Sequence, residues 1–397
     1  MSSKAILPEG WTLRRFDQMA ENINEHVLPA DAEGLPYVGL EHLDSESLKI
    51  RRWGSPDEVE AQKLRFYTGD IVFGKRRYYQ KKLAVADFDG ICSAHAMVLR
   101  AKPDVIVPEF LPFFMQSEMF FERAMAISVG SLSPTINWTA LARQEFLLPP
   151  RNEQHRIAEV LWAIENAIET WNVAFEATKR TLETFREEQL SATHFERQKL
   201  GNHLRSILAG KSVLGTNVPA EDNEYGVLKV SAVGASGFVP SENKRLIHDA
   251  DFIQAYSVHR GDLLITRANT TELVGRVCIV PSDYNYLMLS DKTLRLDPQP
   301  TLLVDFLLEI LRTKSARKQI ETAATGTSGS MKNISQVDIK NLLVPIPDIA
   351  VQKQLIHEIL SLHQSANMIS EHIAKLTQMK TSIVENWLYP SEVAHVQ

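Results

Sequence analysis

Two stretches of the chain carry a hydrophobic pattern that repeats every 3.5 residues. In the first, apolar side chains fall at Ile157, Leu161, Ile164, Ile168, Trp171, Phe175, Leu182 and Phe185, in steps of four and three with a gap at Thr178. In the second they fall at Leu355, Ile359, Leu362, Ala366, Ile369, Ile373, Leu376, Ile383 and Trp387, with Lys380 in the gap. A period of 3.5 held this long keeps one seam of a helix facing a partner, so both stretches predict coiled-coil helices. At 1.5 Å per residue, about 33 residues make a rod of roughly 50 Å. Two such helices in one chain are best explained by pairing with each other, and an antiparallel pair would turn the chain into a pseudo-two-fold.

Elsewhere the apolar residues come in short runs, AVADF, AMVLR, GVLKVSAV, DLLIT and RVCIV, between Gly, Asp and Pro corners. That is the pattern of short strands. Helices are predicted at 110–125 (FLPFFMQSEMFFERAM) and 304–321 (VDFLLEILRTKSARKQIE). The globular parts therefore read as mixed α/β, in the α+β sense.

The two halves share an order of features. YTGDIVF (67–73) matches HRGDLLI (259–265), and GSLSPTIN (130–137) matches GTSGSMKN (326–333). Each loop is followed by an apolar strand closed by prolines and then by a predicted coiled-coil helix. An ordered set repeated this way indicates a tandem duplication of a unit just short of 200 residues. The expected organisation is a globular domain over 1–150, a central helix over 151–197, a second domain over 198–347, and a C-terminal helix and tail over 348–397.

Composition narrows the function. With 397 residues, 44% hydrophobic and 23% charged, the chain has ordinary globular composition. No apolar run approaches the roughly 20 residues of a spanning helix, and MSSKAILPEGW lacks the apolar core of a signal peptide, so no membrane partner and a cytoplasmic location are expected. Cys92 and Cys278 lie far apart without a CxxC, which suggests buried hydrophobes and neither zinc nor a disulfide. AGKS (209–212) has Arg205 where a phosphate-binding loop needs glycine. The acids of SPDEVEAQK (55–63) are too close together for a strand-borne metal site and read as a solvated loop or helix start. There is no Asn-Pro-Pro-Tyr loop, S-adenosylmethionine loop, HExxH or GxSxG. The chain is expected to be non-catalytic and to carry no cofactor of its own.

A net charge of -6 requires any nucleic-acid contact to be local. GDIVFGKRRYYQKK (69–82) supplies it. Lys75, Arg76, Arg77, Lys81 and Lys82 surround Tyr78, Tyr79 and Gln80 with no acid among them. Arginine and glutamine read base edges, lysine holds phosphate, and tyrosine packs on sugar or base. Arg76, Arg77, Tyr78 and Gln80 are expected to read bases, with Lys75, Lys81 and Lys82 on phosphate. A solvated hairpin would show the same charges. The matching segment TRANTTELVG places Arg267, Asn269, Thr270 and Thr271 after its Gly-Asp strand, and Lys211, Ser330 and Lys332 are weaker candidates for backbone contacts.

These segments resemble those of the specificity subunits of type I restriction-modification systems. The resemblance rests on LPEGW (7–11), YTGDIVFGKRRYYQKKLAVADFDGICS (67–93), RGDLLITRANTTELVGRVCIVPSD (260–283), LSDKTLRL (289–296), and PPRNEQHRIAEVL and PIPDIAVQKQLI at the helix starts. It covers nearly the whole chain. It departs where Val-Gln-Lys replaces Asn-Glu-Gln at the second helix start and at RQKLGNHL (197–204). The resemblance implies two target-recognition domains joined by an antiparallel coiled coil. Each domain would read one half of an asymmetric bipartite site in double-stranded DNA. It also implies two methyltransferase subunits that bind S-adenosylmethionine and methylate adenine N6, with motor-nuclease subunits joining for cleavage. Glu153, Arg156, Glu159, Glu183, Arg186 and Glu187 on the helices would then be docking surface or ordinary solvated charge. A stand-alone DNA reader and a coiled-coil scaffold for an acidic partner remain as alternatives.

Overall fold

A computed structural model of the chain describes residues 9–45, 47–191, 195–221, 224–328 and 331–388. The chain divides into two compact units, one made of Met1–Ala174 with Ile369–Gln397, the other of Phe175–Met368. The division cuts both long helices, Arg151–Leu190 and Ile349–Leu388, so each unit contains a globular domain and part of each helix.

The globular part of the first unit holds two four-stranded sheets. In one, Ala20–Ile23, Ala96–Ala101, Ile71–Gly74 and Leu83–Val85 lie side by side, all antiparallel. In the other, His26–Val27, Lys63–Phe66 and Gly90–Cys92 are antiparallel and Tyr37–Val38 joins parallel to Gly90–Cys92. The second unit repeats the plan. Leu204–Ala209, Thr293–Pro298, Leu263–Thr266 and Val277–Ile279 form its antiparallel sheet. Ser257–Val258, Tyr284–Met288, Gly226–Leu228 and Asn243–Arg245 form the mixed one, again with a single parallel pair. The duplication and the α+β class are thus realised in both sheets, except that the fourth strand of the mixed sheet, His26–Val27 in the first unit and Asn243–Arg245 in the second, lies on opposite edges. In GVLKVSAV only the first part is a strand; Val230–Ala232 turns as a 3-10 helix.

Each predicted helix of the globular domains is two helices. Leu111–Gln116 is followed by Glu118–Ala126, and Val304–Arg312 by Lys314–Ala323. At the break sits a buried hydroxyl that works in both directions. Ser117 donates to the Phe114 carbonyl at 2.7 Å and accepts from the Phe120 amide, while Thr313 donates to Ile310 at 2.7 Å and accepts from Ala316. The apolar spacing continues across the break, so hydrophobic periodicity could not reveal it.

The Gly-Asp corners are structural pivots. Gly69 and Gly261 have φ of 92° and 89°, a region open to glycine. Asp70, 1% exposed, accepts from Arg100 Nε and Nη2 at 2.7 and 2.9 Å and from the Tyr67 amide. Asp262 repeats this with Arg295 at 2.8 Å and the His259 amide at 2.9 Å. In each case the carboxylate ties the start of a central strand to its neighbour.

The seam positions of the long helices are buried where the helices meet a globular core and half-buried at Phe175, Phe185, Leu362, Ile369, Ile373, Leu376 and Ile383. Ile157, Leu161, Ile164 and Ile168 are buried in the first unit, and Leu182 shares a core with Leu355, Ile356 and Ile359 in the second. Within the first unit Glu165 meets Lys380 and Trp171 meets His372, so residue numbers rise along one helix as they fall along the other, and the pair is antiparallel. Trp171 is a departure at 37% exposed, lying edge-on to His372.

Two of the helix charges read as docking surface are used internally. Arg186 binds Glu309 at 2.7 Å, and Glu187 accepts the Lys314 amide at 2.7 Å. Cys92 and Cys278 are buried as expected, and burial pushes both thiols up to about 12. No helix among the described residues is long and apolar enough to cross a membrane.

Candidate nucleic-acid interface

In the first unit, Ile71–Gly74 and Leu83–Val85 pair as a hairpin, closed by the Gly74 amide on the Lys82 carbonyl at 2.8 Å. The basic segment is the excursion between them. Arg77 and Lys81 both adopt the left-handed conformation, with φ of 53° and 49°, and bracket a short 3-10 turn over Tyr78–Gln80. Non-glycine residues take this conformation at a cost, so the segment is held in shape by its surroundings.

That surrounding is the Gly-Ser loop. The Arg77 amide donates to the Pro134 carbonyl at 2.9 Å, and the Ile136 amide to Lys75 at 3.0 Å. Arg76 Nε and Arg77 Nε both donate to Ser133 Oγ, at 3.0 and 3.4 Å, and Arg76 Nη1 lies 3.0 Å from His95 Nε2. Burial, followed by the charges of Arg76, Lys75 and Lys63, lowers the His95 imidazole from its usual range, so it faces Arg76 as a neutral ring. Ser133 and His95 were not singled out from sequence. The loop was visible as a repeat, but its pairing with a segment more than fifty residues away depends on the fold.

The candidate residues separate by environment. Arg77 and Tyr79 face solvent, Tyr79 at 57%. Gln80 is half-buried, and its carbonyl accepts from Ser45 Oγ at 2.7 Å. Tyr78 is 8% exposed and belongs to the core with Phe73 and Leu83, so its expected place on a base is taken by packing. Lys75 is half-buried, and burial lowers its ammonium from the usual value. Lys81 pairs with Glu118 and lies over the Phe121 ring, and Lys82 donates to the Leu40 carbonyl at 2.8 Å. The three lysines expected on phosphate are thus partly occupied within the protein.

The second unit builds its tip differently on the same strand. Arg267 is exposed, its amide bonded to Lys292 at 2.8 Å and its carbonyl accepting from Ile334 at 2.9 Å. Asn269 accepts the Thr270 amide through Oδ1 at 2.9 Å and opens a helical turn. Arg317 holds that turn from the neighbouring helix, donating to the Val274 carbonyl at 2.7 Å. Thr271 is half-buried beside it. Ala268–Asn269 pairs with Met331–Asn333, which folds back on Thr325–Ser328, and Lys332 Nζ donates to the Gly326 carbonyl at 3.0 Å. Lys211 is exposed beyond the end of its strand, and Ser330 lies outside the described residues. Both units therefore join a hairpin tip to a Gly-Ser loop. The first offers two arginines and a tyrosine, the second one arginine with amide and hydroxyl groups.

Known proteins resemble the chain in sequence and fold. The type I restriction modification DNA specificity domain model matches residues 8–174 and again 208–378. The specificity subunit of the type I restriction enzyme EcoDI from Escherichia coli is 32% identical over 168 residues, covering 41% of this chain and 37% of that subunit. The EcoKI specificity subunit from Escherichia coli strain K12 is 26% identical, with 96% of this chain and 89% of the subunit covered. In fold, the chain resembles the solved S subunit of a type I restriction-modification system from M. genitalium, at 14% identity and a TM-score of 0.59 over 98% of this chain and 99% of that one. With most of its length matched in two copies, the chain belongs to the type I restriction modification DNA specificity domain family.

Proposed function

We propose that the chain is the DNA sequence-specificity subunit of a type I restriction-modification complex and has no catalytic role of its own. The observation that carries this reading is the repetition of one scaffold with two chemically different tips. Both units have the Gly-Asp pivot, the central strand and the Gly-Ser loop. One tip presents Arg76, Arg77 and Tyr79, the other Arg267, Asn269 and Thr270. Two readers on one frame suit an asymmetric bipartite site, each half discriminated at about 1–3 kcal/mol per mismatched pair. The long helices would set the unread spacer and receive two methyltransferase subunits, which would bring S-adenosylmethionine and methylate adenine N6. Motor-nuclease subunits would join that core, and the assembly would work in the cytoplasm.

The test is to express the chain with the methyltransferase encoded beside it in a host lacking adenine methylation, then map N6-methyladenine by long-read sequencing. Methylation at one bipartite motif that depends on this chain is expected. No new methylation from a folded, associated pair would favour a stand-alone reader or a scaffold.

A further inference from the structure

We propose that Leu132 packs against a thymine 5-methyl group in the major groove of the half-site read by the first domain, an inference that rests on the function just proposed. Leu132 is 94% exposed, the most exposed of the large apolar side chains among the described residues. It is not on a loose strap. Val129 and Thr135 exchange two backbone hydrogen bonds at 3.0 Å across the base of its loop, and Gly130 turns the loop at φ 108°. The Arg77 amide grips Pro134, and the preceding residue, Ser133, accepts from the side chains of Arg76 and Arg77. A bare leucine is thereby fixed one residue from the group that positions both arginines.

A single exposed leucine needs no special account. Here two further observations point outward. Val129 and Met125, 66% and 59% exposed, lie on the same loop and on the helix leading to it. The Gly-Ser hairpin of the second unit again presents an apolar side chain, Met331 at 50%, next to Lys332 in the strand whose Lys332 and Asn333 pair with the tip strand. Both units thus place an apolar group where loop meets tip. On the major-groove edges of the base pairs the apolar feature is the thymine 5-methyl group, while the neighbouring arginines match guanine O6 and N7. An apolar wedge between base steps in the minor groove would be indifferent to the thymine 5-methyl group, which lies in the major groove, so dependence on that methyl separates the two contacts.

The test uses the full chain and a random-sequence duplex library prepared once with dTTP and once with dUTP, which lacks the methyl group. Wild type should select one bipartite motif, and in the half-site lost on replacing Arg76 and Arg77 by alanine, one position should favour T over U by about fourfold, the factor of one buried methyl group. L132A should lose that preference, and the other half-site should not change. An L132A motif identical to wild type, or a T preference indifferent to the methyl group, would overturn the inference while leaving the DNA-reading function in place. Failure of wild type to select any motif would overturn both.

Discussion

Lys380 reaches Glu165 at 2.8 Å, and both side chains are nearly sealed from water, 5% and 2% exposed. The lysine fills the gap in the second heptad pattern and the glutamate lies beside the seam of the first. Glu165 also accepts from the Leu48 amide at 2.8 Å and from Ser47 Oγ at 3.3 Å. One carboxylate therefore ties both helices to the first globular domain. A polar pair in an apolar seam contributes little net stability but penalises every other register, because a shifted helix would bury its charge alone.

Removing one partner should cost far more than removing both. Lys380→Ala or Glu165→Ala is expected to destabilise the first unit by about 3–5 kcal/mol, since the remaining charge stays buried. The double change Lys380→Met with Glu165→Leu should recover most of that loss. Urea denaturation of the full chain checks it, and a double variant as weak as either single one would contradict this account.

A second buried carboxylate governs the acid behaviour of the other unit. Burial alone would raise the Glu309 carboxyl, but its interactions with His363, Arg186 and Arg312 outweigh burial and bring it from 4.5 down to about 2. A folded-state value below the unfolded one contributes stability that is complete above pH 4.5 and is lost as pH falls towards 2. The contribution is on the order of 3 kcal/mol. Glu309→Gln should be less stable at neutral pH and should show a flatter loss of stability between about pH 5 and about pH 3. An unchanged pH slope, followed by denaturation midpoints, would count against it.

What sequence could show depended on whether a feature was periodic or pairwise. The heptads, the short strands and the duplicated Gly-Asp corners repeat along the chain, so the α+β class and the two long helices were readable, whereas their antiparallel pairing was implied by the family resemblance. Gln154 and Gln352 were not. Each is a buried amide that accepts a loop amide, from Val107 or Leu303 at 2.9 Å, and donates to the proline carbonyl five residues before it. Only the fold tells such a residue from a solvated helix glutamine. The same holds at the tip: charge concentration found Arg76 and Arg77 but could not show that Tyr78 turns inward. Nor could it show that Glu118 and Leu40 engage two of the lysines.

Arg77 allows strain and reading to be separated. Its left-handed backbone should relax in Arg77→Gly by roughly 1 kcal/mol, whereas Arg77→Ala keeps the strain and removes the same guanidinium. Both variants should relax one half-site of the motif and leave the other unchanged. Only the glycine variant should match or exceed wild type in thermal stability. Equal losses of stability would mean that the contact with Ser133 outweighs the backbone cost.

Glu118 restrains the tip lysine. Lys81 is drawn to this carboxylate at the start of the helix Glu118–Ala126, so the pairing competes with phosphate for its charge. Glu118→Gln removes the competing charge while the Glu118 backbone amide keeps Glu385 as its partner. Affinity for duplex DNA of any sequence should then rise. The plot of log affinity against log salt should steepen by less than about 0.9, the slope of one whole phosphate contact, because Lys81 divides its charge between Glu118 and phosphate before the change. Half-site preference should not move, because a point charge on phosphate carries no base information. Lys81→Ala gives the opposite arm, with weaker binding and a flatter slope. If neither variant changed the slope, Lys81 would be a structural lysine belonging to the Glu118 helix.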